Sequence, residues 1–116
     1  MKSYLAVFTG SPDAMAKWQS LPDAERKARE KKGGAAWHAW AEKNAPSIVE
    51  LGGPLSRTKR ISAAGISDIR NNLGAFTVVR AESQDAAASL FIDHPHFAIF
   101  PGDGVEVMEI LPIPSM

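Results

Sequence analysis

The chain has 116 residues, 45% of them apolar, which suits one continuous core and a single domain, 1–116, and is too short for two. Thirteen basic and thirteen acidic side chains cancel, so no global field draws the chain to nucleic acid or to an anionic membrane. The absence of cysteine excludes disulfides, thiolate metal sites and a cysteine nucleophile.

Lys2 precedes only the short apolar run Tyr4 to Phe8, well below the roughly 20 residues of a membrane span or the core of a secretory signal, so a cytoplasmic chain is expected. Closed by Thr9-Gly10-Ser11-Pro12, that run reads as a buried strand. Pro12 to Trp18 has room for a helical turn. The main helix is expected to begin after Ser20 as its cap, with Asp23 and Glu25 in its first turn, and to end at Asn44-Ala45-Pro46. Ala24, Ala28, Ala35, Ala36, Ala39 and Trp40 recur at spacings near three and four, which predicts the buried stripe, while Glu25 to Lys32 supply charge to the other faces. Gly33-Gly34 costs about 1 kcal/mol per residue against Ala, so either a bend or a close approach of another backbone is expected there.

Ile48 to Leu51 starts a second strand, and Gly52-Gly53-Pro54 forces a bulge or corner before Leu55 to Ser62 continue it. Arg57, Lys59 and Arg60 would then charge an exposed edge. Ala63 to Leu73 reads as a long hairpin loop with Ile66 and Ile69 tucked to one side, and Gly74 to Ala81 as the third strand. Ser83 is expected to cap a helix carrying Ala86, Ala87, Leu90 and Phe91, closed by Asp93-His94-Pro95-His96. Val105 to Leu111 is the last strand, stopped by Pro112 and Pro114.

The order β-α-β-β-α-β predicts an α+β, ferredoxin-like antiparallel sheet with two helices on one face. The strands are apolar on both parities, so the second face also needs cover. A homodimer packed sheet against sheet supplies it.

The short opening strand, Trp37-x-x-Trp40, Glu50-Leu51-Gly52-Gly53-Pro54, and Asp93-x-Pro95 leading to Gly104-Val105-Glu106-Val107 together span most of the chain. On these features it resembles the YCII-related (YCII/DGPF-type) proteins of the dimeric α+β barrel superfamily. The resemblance implies a homodimeric small-molecule enzyme or binder. It also implies a site pairing a histidine on the first helix with an acid near the start of the second strand, for which His38 and Glu50 hold the nearest positions. Some members place the acid in the turn that is Asn44-Ala45-Pro46-Ser47 here.

An imidazole oriented by a carboxylate suits general acid/base work. Trp37 and Trp40 read either as an aromatic ligand wall or as core. His94 and His96 beside Asp93 raise a metal pair, but no third ligand is visible and no metal is expected; the alternative is a histidine charge against a helix C-terminus. Arg57, Lys59 and Arg60 lack interleaved aromatics, so no nucleic acid is expected. Gly52-Gly53 and Gly102-Asp103-Gly104 do not match a phosphate cradle, and no cofactor is expected. The expected site is a small-organic-ligand pocket at Trp37, His38, Glu50 and Pro54, with Trp40, Gly53 and Arg57 as further contacts. Two functions fit it: cofactor-free isomerisation or elimination with His38 as base and Glu50 orienting it, or non-catalytic binding. A His38 within reach of Glu50 favours the first, and an exposed, unpartnered His38 the second.

Overall fold

In the computed structural model, which describes residues 1–114, the elements follow in the order β1 (Lys2–Thr9), α1 (Pro12–Gln19), α2 (Asp23–Lys43), β2 (Ile48–Pro54), β3 (Thr58–Ser62), β4 (Gly65–Ile69), β5 (Leu73–Ala81), α3 (Gln84–Ser89), α4 (Pro95–Ala98) and β6 (Gly104–Glu109). Four strands make one antiparallel sheet, ordered β2-β5-β1-β6, and β3 and β4 form a separate two-stranded hairpin. Without that hairpin the connectivity is the ferredoxin-like β-α-β-β-α-β. No helix among the described residues is long and apolar enough to cross a membrane.

Strand parity decides where the core lies. Tyr4, Ala6 and Phe8 of β1 and Ala75, Thr77, Val79 and Ala81 of β5 are buried, whereas Leu5, Val7, Phe76 and Val78 between them are half-buried. The buried set packs under Ala87 and Phe91 beside α3 and under Trp37 and Trp40 of α2, so the helices share one face of the sheet.

The helix α2 turns inward a different stripe from the one its alanines predict. Ala24, Ala28, Ala35 and Ala39 are exposed, and Gly33, Ala36, Trp37, Trp40 and Ala41 face the protein. A tryptophan buries far more area than an alanine, so the two indoles set the helix rotation. At Gly33 the close approach is made by a side chain and not by another backbone, which corrects the expectation. The helix is continuous there, and a Cβ at Gly33 would stand 2.5 Å from Phe100 Cε2.

Three further expectations are corrected. The turn at Pro12 is a two-turn helix, because the Ser11 hydroxyl accepts the Ala14 N–H at 3.2 Å and Trp18 is buried against Phe100. Ser20 does not cap α2, whose N-cap is Pro22 without a side-chain bond. Nor do residues 55–62 continue β2 or 63–73 form a loop: β3 and β4 pair from Thr58↔Ile69 to Ser62↔Gly65, with Lys59 and Asp68 joined by an ion pair of 2.5 Å. Arg57, Lys59 and Arg60 therefore charge this projecting hairpin and its approach, not the edge of the main sheet.

Candidate functional site

A cavity of about 710 Å³ opens between the C-terminal half of α2, the β2–β5 end of the sheet and the segment after α4. Its position follows from two backbone devices. At β2 the register slips between Ile48 and Glu50 and again between Glu50 and Gly53, and Gly52 adopts φ +68. The bulge is held by the Glu50 carboxylate, which accepts the Gly52 N–H at 3.1 Å, and by the Thr77 hydroxyl, which donates to the Leu51 carbonyl at 2.8 Å. Leu51, Gly53 and Pro54 then meet the cavity. On the opposite wall, Gly33 lets Phe100 close against α2 while Gly34, with nothing within 4 Å of a Cβ, borders the opening.

Trp37, Phe76 and Phe100 give the cavity aromatic walls, with Met15, Leu73 and Pro101 between them. Trp37 is fixed from behind by stacking on Phe8 at 5.1 Å and by the edge of His94 at 4.5 Å. The polar side chains of the lining residues are those of His38, His96, Asn71 and Asn72, and among the described residues no carboxylate, ammonium or guanidinium side chain belongs to the lining. Asn71 is already engaged, donating to Thr58 Oγ1 and accepting the Leu73 N–H.

Of the residues singled out in the sequence, Trp37, His38, Gly53 and Pro54 border this cavity, and Glu50, Trp40 and Arg57 do not. Trp40 is a clamp between α2 and α3: its indole N–H donates to the Leu90 carbonyl at 2.7 Å and its ring lies 5.2 Å from Phe91. His38 is exposed and, among the described residues, makes no hydrogen bond to Glu50.

His94 and His96 separate into different roles. His94 is 0% exposed, caged by Phe8, Trp37, Trp40 and Phe91, and it stands at the N-terminus of α4, not at a helix C-terminus. Its Nδ1 accepts the His96 N–H at 3.0 Å, so Nε2 carries the proton of the neutral ring, and that atom has no hydrogen-bond partner among the described residues. Burial, and then the nearby His96, lower its pKa to about 4. His96, half-buried, borders the cavity and places Nε2 2.7 Å from the Thr9 carbonyl oxygen. No three His, Cys, Asp or Glu side chains cluster as metal ligands among the described residues.

Sequence reasoning passed over His96 as a cavity residue. The only local sign was the His-Pro-His spacing, in which Pro95 opens a short helix, puts His94 at its cap and brings His96 round toward β1.

No protein-family model and no curated protein matches the chain. Among solved structures it is similar to the 5-chloro-2-hydroxyhydroquinone dehydrochlorinase of Burkholderia phenoliruptrix AC1100 in complex with 2,5-dihydroxybenzoquinone, at 20% identity and a TM-score of 0.52, over 91% of this chain and 90% of that one. The similarity supports the α+β, ferredoxin-like fold that the strand order shows.

Proposed function

We propose that this chain is a YCII-type protein that binds a small, planar, uncharged organic molecule in the cavity beside Trp37. The observation that carries this is the lining itself: aromatic walls, a few hydrogen-bonding groups and, among the described residues, no charged side chain around about 710 Å³. An ionised ligand would lose water there without gaining a partner charge. The fold neighbour, solved with 2,5-dihydroxybenzoquinone, supports a hydroxylated ring as the class to try first. The exposed, unpartnered His38 and the Glu50 carboxylate turned to Gly52 favour binding over catalysis by that pair.

Gly34→Leu tests the cavity. The substitution adds a side chain at the opening and replaces glycine in a helix, so it is expected to leave the melting temperature unchanged or higher. Titration calorimetry with simple dihydroxybenzenes, which are uncharged at neutral pH, is expected to give binding that this variant weakens about tenfold or more. Unchanged binding in Gly34→Leu would place the ligand elsewhere.

The second part of the proposal is a homodimer through the face opposite the helices. Leu5, Val7, Phe76 and Val78 lie there half-buried, Met108 is 42% exposed, and none of the five joins the core. Two such faces pack about 10 Å apart when sheets stack. Phe76 also borders the cavity, so the interface would adjoin the site. Light scattering at micromolar concentration is expected to give twice the 12.5 kDa of one chain, and Val78→Glu the mass of one. A single-chain mass for the unaltered protein rejects the dimer.

A further inference from the structure

We propose that His96 is the residue that selects the ligand, accepting the proton of an acidic ring hydroxyl, as in a phenol or an enol, at Nδ1. This rests on the cavity being the ligand site and adds the class of group it recognises. A carbonyl oxygen only accepts, so the 2.7 Å contact with Thr9 puts the ring proton on Nε2 and leaves Nδ1 as the acceptor. The Thr9 oxygen is itself fixed, since it also accepts the Asp103 N–H at 2.9 Å.

The ring is seated as well as bonded. Gly102 lies over its Nε2, Cδ2 and Cε1 atoms so closely that a Cβ at that position would overlap all three, and the Gly102 N–H donates to the His96 carbonyl at 2.9 Å. Thr9 and Gly102 thus cover the Nε2 side. Among the described residues no hydrogen bond is made to Nδ1, and that atom is not among the buried unpartnered ones, so it is the ring nitrogen left accessible on a residue that borders the cavity.

Two of the other three polar side chains of the lining compete poorly, and the third, Asn72, is exposed. His38 is exposed and nothing fixes its tautomer, and the Asn71 amide is spent on Thr58 and Leu73. A hydroxyl on a ring set among Trp37, Phe76 and Phe100 would donate to Nδ1. If transfer completes, the proton moves from oxygen to Nδ1, the ligand becomes the anion, and the imidazolium keeps its Nε2–H on Thr9. A backbone acceptor behind the ring holds its tautomer and orientation, as a second partner does for other functional histidines.

Para-nitrophenol and its methyl ether, para-nitroanisole, separate these effects because they share a ring and differ at the hydroxyl. Titrated calorimetrically into the full chain, below the pH at which the free phenol ionises, the phenol is expected to bind about tenfold more tightly than the ether. In His96→Phe the preference should vanish. It should also vanish in Gly102→Ala, which keeps the imidazole but displaces it. Nitrogen NMR of the unaltered protein gives a reading that needs no variant to fold: the phenol should shift the His96 Nδ1 resonance while Nε2 stays protonated. Equal binding of phenol and ether, both blocked by Gly34→Leu, would keep the cavity and overturn the role of His96. Binding of neither compound would overturn both.

Discussion

Acidification from neutral pH to about pH 4 is expected to cost the folded chain up to about 3 kcal/mol through His94 alone. The ordinary value of 6.5 applies to the unfolded chain, whereas the folded ring holds off its proton until about 4. Between those values the unfolded state binds a proton that the folded state refuses. The full stability is therefore present above about pH 6.5, is lost as pH falls, and levels off below about 4. The cause is structural: protonation would put a cation among Phe8, Trp37, Trp40 and Phe91, close to His96, and Nδ1 would have to release the His96 N–H.

Urea unfolding at a series of pH values, compared with His94→Phe, isolates this contribution. Phenylalanine suits the aromatic cage but loses the bond that caps α4, worth about 1 kcal/mol, so it should be less stable at neutral pH. Its stability should then fall less steeply on acidification, by up to about 1.4 kcal/mol per pH unit across the window. Identical slopes for the two proteins would show that His94 takes up its proton without cost.

Large apolar side chains made the fold legible. Tyr4, Phe8, Val79 and Phe91 are buried in one cluster, and the strand period of the first three places the sheet and its helical face. The α2 stripe was misread because alanine is compatible with either side of a helix, and counting apolar positions let five alanines outweigh two tryptophans. The hairpin was misread for the opposite reason. Residues 65–69 are all exposed and Ile66 and Ile69 stand three apart, so β4 has no buried face to impose a period of two. For the site, Trp37, His38, Gly53 and Pro54 were within reach because they sit close together in sequence. His96 was not, since its partner Thr9 is 87 positions away and the seat for its ring is a glycine whose role lies in what it lacks.

Substitution of one glycine by alanine is expected to break the cavity wall, while the same change at its neighbour is tolerated. Gly52 sits at φ +68, where a side chain costs about 1–2 kcal/mol. Its Cβ would also fall on the Phe76 carbonyl oxygen, with the carbonyl carbon at 2.9 Å and the Phe76 ring at 3.1 Å. That carbonyl belongs to β5, which is paired with β1 on its other side at Val7↔Phe76, so the backbone cannot yield without disturbing the centre of the sheet. Gly52→Ala should therefore lose about 3 kcal/mol or more, and Leu51 and Pro54 should leave the cavity wall as the bulge opens. Gly53 has ordinary φ and nothing within 4 Å of a Cβ, so Gly53→Ala should change stability by no more than about 0.5–1 kcal/mol, in either direction. Thermal unfolding of the two variants compares one methyl group at adjacent positions of the same strand, with composition held constant. A large loss confined to Gly52 would locate the requirement in the bulged backbone that aims β2 at the ligand cavity; equal effects would mean that the bulge at Gly52 does not control this wall.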